Sequence, residues 1–439
     1  MIRTRKNYLV KLLMSVVLAM ALTFSLASAA FAAPGPNGPI KGDEKHPAEA
    51  AITKILELPV DTQTPAASFE FTVTPYEVDG SQLADDLTAM PEIGVNGKIT
   101  IGLSATVTEE TSNGIKRIIM ESDNIFKGIT WTHTGEYKYR VTEIPDTYTC
   151  NTSNPIEYMS YSKAEYEVGA YVNRGSDGSF YVEYVSAVVI TPGAPGQKGD
   201  EKVDPTPGGD PDIEGDYSQM IFINSYLKIA TPENPDPATD AVLTISKTVT
   251  GGELADHEEY FNFDVTIASP EIAANPTKTH RAYVVDAQGI VSPLPATQAP
   301  AGTIKSDGTY DYIEFTSETA ARIQLKDGQK LSFIDLPVGS SFTVQEVNPK
   351  NYTPSYDLKI NGEFVEGKDA AAGMTLGLSK TYHLGEKENS VAYTNTYREV
   401  TPMGIAVDNL PYLVMAALAL LGLIAFVAVR AHRKPHDQA

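Results

Sequence analysis

The sequence predicts an all-β protein built from two tandem β-sandwich domains, and two observations carry that prediction. The first is alternation. SFEFTVTPYEV (Ser68 to Val78), EYKYRVTEI (Glu136 to Ile144), SFYVEYVSAVVI (Ser179 to Ile190) and SSFTVQEV (Ser340 to Val347) alternate apolar or β-branched residues with polar ones. Gly, Pro, Asn and Asp separate such stretches, and no sustained helical period intervenes. The second is an internal repeat. Ala51 to Pro75 parallels Leu243 to Ile267, Glu136 to Thr149 parallels Ser340 to Thr353, and Ile221 to Tyr226 (IFINSY) parallels Ala392 to Tyr397 (AYTNTY).

Both ends of the 439-residue chain are specialised. Arg3, Arg5, Lys6 and Lys11 precede an apolar run from Leu12 to Leu26, and Ala30-Phe31-Ala32 supplies small residues at the positions a signal peptidase reads. Residues 1–32 are therefore expected to be a signal peptide, with the mature chain starting near Ala33. A second apolar run, residues 410–429, matches a bilayer core of roughly 30 Å at about 1.5 Å per residue. Arg430, Arg433 and Lys434 follow it and are expected to stay cytoplasmic. Everything between the two runs is expected outside the cell.

The interior divides at two Pro/Gly/Asp-rich patches. One, Thr191 to Asp216, interrupts the strand pattern, and residues 204 to 216 resemble an insertion. The other, ATPENPDPATDA (Ala230 to Ala241), reads as a short stiff linker. The expected organisation is an N-terminal domain over 33–229, a linker over 230–241, a C-terminal domain over 242–399 and a sorting region over 400–439. A formal charge of −22 excludes the basic footprint of nucleic-acid binding. With Cys150 the only cysteine, no intramolecular disulfide is possible. Any covalent staple must use other chemistry.

Strand parity supplies a candidate. Ile52, Lys54 and Leu56 share a face, as do Tyr137, Tyr139, Val141 and Glu143, and Phe222, Asn224 and Tyr226. The second half repeats the order: Leu243, Ile245, Lys247 and Val249; Phe342, Val344 and Glu346; Tyr393, Asn395 and Tyr397. Each half thus puts an amine, a carboxyl and an amide where the core belongs. An unpaired buried charge costs several kcal/mol, so the three are expected to meet. Burial lowers a Lys pKa and raises a Glu pKa. A neutral amine beside a carboxamide, with a protonated carboxyl to polarise the carbonyl and shuttle protons, can form an isopeptide bond with loss of ammonia. The competing reading is that Lys54 and Lys247 snorkel at strand ends, the Glu residues are solvated and the Asn residues make ordinary hydrogen bonds.

The ordered repeat of Lys, Glu and Asn strands, with EVTPMG ahead of the membrane tail, resembles the sortase-assembled backbone pilins of Gram-positive bacteria, the two-domain T-antigen type, over essentially the whole mature chain. LKDGQKLSFIDLPVGSSFTVQE (Leu325 to Glu346) and YTNTY are similar to that family's C-terminal module. The resemblance implies immunoglobulin-like sandwiches with a bond between first and last strands: Lys54 to Asn224 with Glu143, and Lys247 to Asn395 with Glu346. It implies sortase cleavage in VTPMG (Thr401, Pro402, Met403, Gly404), between Met403 and Gly404, through an acyl-enzyme thioester. Related pilins commonly carry Thr where this chain has Met403. The resemblance also implies an accepting lysine before the isopeptide Asn. Lys202, followed by Val203, fits that role best, with Lys198 second.

The implied partners are a sortase, further copies of the same chain, peptidoglycan and, where one exists, a tip adhesin, with no nucleic acid. A wall-anchored adhesin using the same domains as a stalk is the alternative. No cofactor, metal site or turnover enzyme is expected. Asp210 to Asp216 begins like a calcium loop, but its twelfth position is Ile221. The seven His residues have no ligand spacing. Trp131 is expected in the core, and Cys150 has no assigned role.

Overall fold

The computed structural model describes residues 40–103, 107–208, 217–275, 278–397 and 410–432. The expected signal peptide, the Asp210 to Asp216 turn, Thr401 to Gly404, Arg433 and Lys434 lie outside the described residues.

Two pairs of sheets organise the described residues between 40 and 397. In the first pair, one sheet runs β1 (Ile40–Lys41), β10 (Phe180–Thr191), β9 (Glu165–Arg174), β7 (Gly135–Ile144), β3 (Ser68–Val78), β4 (Lys98–Gly102), with β11 (Lys202–Val203) added to β10. Its partner runs β5 (Val107–Ser112), β6 (Ile115–Glu121), β2 (Thr53–Pro59), β12 (Ile221–Ile229), β8 (Ile156–Ser160). In the second pair, one sheet runs β16 (Ile304–Ser306), β17 (Asp311–Thr316), β15 (Thr279–Val285), β19 (Lys330–Phe333), β13 (Leu243–Thr250), β25 (Ser390–Tyr397), β21 (Tyr352–Ile360), β22 (Glu363–Asp369). Facing it are β18 (Ala321–Leu325), β14 (Phe261–Ala268), β20 (Ser341–Val347) and β23 (Leu376–Gly377), with β24 (Tyr382–His383) also on β20. Among the described residues, one short helix, α1 (Ala84–Thr88), interrupts the first domain, and α2 (Leu410–His432) follows the second. The all-β sandwich prediction holds.

Each sandwich encloses one apolar core. Strand alternation is clean where one face meets solvent: in β7, Tyr137, Tyr139, Val141 and Glu143 are buried and the residues between them partly exposed. In β2 and β12 alternation breaks down, because Ile55, Ile119, Ala194 and Ile221 form a second buried cluster on the outer face. The Pro/Gly-rich segment covers that face. Ala51 donates its N–H to Pro205 O (2.8 Å), and Gln197 Nε2 donates to Gln219 O (2.8 Å). Gly193 is required there, since a Cβ would lie 1.8 Å from Ile221 O.

The two parallel pairs among the described strands are β2 with β12 and β13 with β25. Each joins the strand that opens a sandwich core to the strand that closes it. Residues 230 to 242 then lead from β12 to β13 and touch both sides: Glu233 N–H donates to Ser153 O (2.8 Å), and Thr231 Oγ1 donates to Ile334 O (3.1 Å). Further contacts bridge the sandwiches. Lys228 Nζ and the Gln63 N–H both reach the Glu386 carboxylate at 2.7 Å, and Leu227 packs on Ile272 and Ala274. Gly339 has φ +79°, and a Cβ there would stand 2.2 Å from Pro59 Cβ.

Candidate functional site

The pleat and the parallel register bring the predicted groups together. On β2 and β12, Lys54 is opposite Phe222 and Asn224 is opposite Leu56, so the amide lies two residues further along than the amine. On β13 and β25, Lys247 is opposite Tyr393 and Asn395 opposite Val249, the same offset. Residues two apart share a face, so amine and amide both point into the core. The carboxyl arrives from the facing sheet: Glu143 is paired with Phe71 on β3, and Glu346 with Phe263 on β14.

In the first site Lys54 Nζ lies 2.8 Å from both Glu143 oxygens, and Asn224 Nδ2 donates to Glu143 Oε1 at 2.7 Å. In the second, Lys247 Nζ and Asn395 Nδ2 donate to Glu346 Oε1 at 2.7 and 2.8 Å. The Lys and Glu side chains of both pairs are fully buried, and Asn224 and Asn395 are 0% exposed. The snorkelling alternative is excluded, because neither ammonium reaches water.

Aromatic rings close each site, at matching positions. Phe69 lies 4.6 Å from Lys54 Nζ, and Phe261 lies 4.3 Å from Lys247 Nζ. Phe71 meets Phe222 edge-on at 4.9 Å, and Phe263 meets Tyr393 at 5.2 Å. These rings were not among the sequence-derived site residues, although the Phe-x-Phe spacing on both strands was a signal that could have found them.

Burial controls protonation. It pushes the Lys54 ammonium down from 10.5 to about 7, against the attraction of Glu143, and Lys247 down to about 8, against that of Glu346. The Glu346 carboxyl is raised, again by burial. Both amines thus gain a neutral, nucleophilic population near neutral pH. One detail differs from expectation: each carboxyl meets the nitrogen side of the amide rather than its oxygen. There it can take a proton from Nζ and hand it to Nδ2, which is what converts an amide nitrogen into departing ammonia.

The two candidate linking lysines are both exposed. Lys202 sits on β11 opposite Val188, and Lys198 lies in the preceding turn, its N–H bonded to Glu201 Oε2 at 2.9 Å. Neither amine enters an ion pair among the described residues. Helix α2 is long and apolar enough to span a membrane over Tyr412–Arg430. Trp131 is in the first core, 6% exposed, and burial raises the Cys150 thiol pKa.

One grouping had no sequence signal. Ser269 Oγ lies 2.5 Å from His280 Nε2, and His280 Nδ1 lies 3.6 Å from Asp335 Oδ1. The order is that of a hydrolytic triad, yet Ser269 and His280 are buried and Asp335 is committed to Arg281. A substrate has no access to the hydroxyl, so the group serves as a packed polar network.

Several known proteins are similar to this chain. Among solved structures, the major pilin of Streptococcus pyogenes aligns over 80% of this chain and 99% of its own, at 17% identity and a TM-score of 0.29. The major pilin protein T3.2 of S. pyogenes serotype GAS13637 aligns over 80% and 98%, at 18% identity and a TM-score of 0.27. A curated relative, a pilin of S. pyogenes serotype M1, is 22% identical over 383 residues, 87% of this chain and 90% of the relative. Residues 241–375 match a domain of unknown function (DUF7601). Residues 50–205 match the Spy0128-like isopeptide containing domain. The first sandwich is thus the part of the chain that matches the Spy0128-like isopeptide containing domain, and the curated relative similar to the chain over 87% of its length is a pilin.

Proposed function

We propose that this protein is the shaft subunit of a covalent surface pilus, and that each sandwich locks itself with a Lys–Asn isopeptide bond, Lys54 to Asn224 and Lys247 to Asn395. The observation that carries the reading is the duplicated constellation: amine, carboxyl and amide within hydrogen-bond reach, fully buried, at one register offset in both domains. A merely structural ion pair has no need to repeat an amide beside the carboxyl.

The bond would suit a load-bearing filament. Because β2 and β12, and β13 and β25, are parallel neighbours, tension entering one strand of a pair and leaving by the other would shear them past one another, and a covalent tie between them would take that load directly. Lys202, or else Lys198, would accept the next subunit after a sortase cuts between Met403 and Gly404, with α2 holding the precursor in the membrane. The last subunit would be joined to peptidoglycan, and a tip adhesin would be carried where one exists.

The test is a denaturing gel of wall extracts. A shaft subunit yields a high-molecular-weight ladder that collapses when Lys202, or else Lys198, is replaced by Arg. A single band would instead support a wall-anchored adhesin.

A further inference from the structure

The two sites differ at the amide oxygen. Asn224 Oδ1 accepts the backbone N–H of Ser162 at 2.7 Å, whereas Asn395 Oδ1 is buried with no hydrogen-bond partner among the described residues. The backbone explains the contrast. Strand β8 pairs with β12 only as far as Ser160 opposite Ser225; past that point Ser162 leaves the ladder and can aim its N–H at Asn224. In the second sandwich β21 continues beside β25 past Asn395, so its N–H groups remain in the ladder, and the residue opposite Asn395 is Pro354, which has none.

The Ser162 N–H also fixes the Asn224 amide. Turned over, its NH2 group would face another donor and its oxygen would face the Glu143 carboxylate. Attack by Nζ on Cγ makes that oxygen an alkoxide, and a backbone N–H already within bonding distance stabilises it without reorganisation.

We propose that Ser162 supplies, through its backbone N–H, the oxyanion donor for the first crosslink, and that the Lys54–Asn224 bond consequently forms before the Lys247–Asn395 bond. This rests on the reading that both crosslinks form. The neutral Lys54 amine bonds to Asn224 Cγ, and one of its two protons passes through Glu143 to Nδ2. The Cγ–Nδ2 bond then breaks, ammonia leaves, the other proton stays on the new amide and Glu143 is regenerated as carboxylate. Lys247 follows the same balance at Asn395 without a donor at its oxygen. Removing one oxyanion donor slows acyl transfer by about 10²- to 10³-fold.

The full chain, dissolved from inclusion bodies in denaturant before any crosslink forms, is diluted into detergent-containing buffer, sampled into acid and digested. Mass spectrometry then follows ammonia loss in the two crosslinked peptides separately. The expected result is a first crosslink about 10²-fold faster than the second. Ser162→Pro, which deletes the N–H, should slow the first by a similar factor and leave the second unchanged, while Ser162→Ala, which keeps it, should change neither. Equal rates, the reverse order, or an unslowed first crosslink in Ser162→Pro would overturn the proposal. Should Ser162→Pro not fold, the order in the unmutated chain decides. If neither crosslink forms at all, the underlying reading fails and takes this inference with it.

Discussion

Lys54 and Asn224 lie on adjacent parallel strands, with the amide two residues beyond the register partner of the amine and Glu143 touching both. A bond between them closes a loop of well over about 100 residues, and closing such a loop is credited with roughly 4–5 kcal/mol through the unfolded state. Asn224→Ala should therefore lower the unfolding free energy of the first domain by several kcal/mol in denaturant titration. Asn395→Ala should do the same to the second domain only.

In the proposed crosslinking Glu143 and Glu346 would each serve the chemistry, and each pairs with a buried lysine. Glu143→Ala should abolish ammonia loss in the first domain and leave Lys54 buried without its partner, a loss of about 3–5 kcal/mol. Intact mass and thermal melting report the two effects separately, and Glu346→Ala should reproduce both in the second domain.

With the crosslink blocked, protonation of the lysine becomes visible as stability. In Asn224→Ala the Lys54 amine keeps its burial, so its folded pKa stays below the unfolded value of 10.5, at about 7. Between those values the unfolded chain binds more protons than the folded one, so stability should rise with pH from about 7 toward 10.5 and be flat below 7. Denaturant midpoints across that range measure it; a fall in stability with rising pH would refute the lowered amine.

Among the contacts between the sandwiches, a polar one centres on Glu386. Glu386→Ala removes the acceptor of both Lys228 and the Gln63 N–H. Because the pair is partly exposed, the change should cost only about 1 kcal/mol. It should nevertheless broaden the distribution of interdomain angles in small-angle scattering while each domain's own melting stays in place.

Much of this was legible in the sequence, because a strand's period of two decides which face each residue takes. Lys54, Glu143 and Asn224 could be placed on core faces from parity alone, and the repeat located Lys247, Glu346 and Asn395. What parity cannot show is which partner each face meets. Ile55 and Ile221 are buried on the outer face because a Pro/Gly-rich segment, which reads as surface, folds over them. The donor at Asn224 is a backbone N–H, so the identity of Ser162 carries no trace of it. Ser269, His280 and Asp335 come from three separate segments that only the fold assembles, and the approach of Gly339 to Pro59 spans two domains.

The most direct test of the central claim is the intact mass of the folded, unmutated ectodomain under denaturing conditions. Self-locking domains predict a chain lighter than its sequence by two molecules of ammonia, one recovered in Glu143→Ala and the other in Glu346→Ala. A chain of full sequence mass would contradict the account.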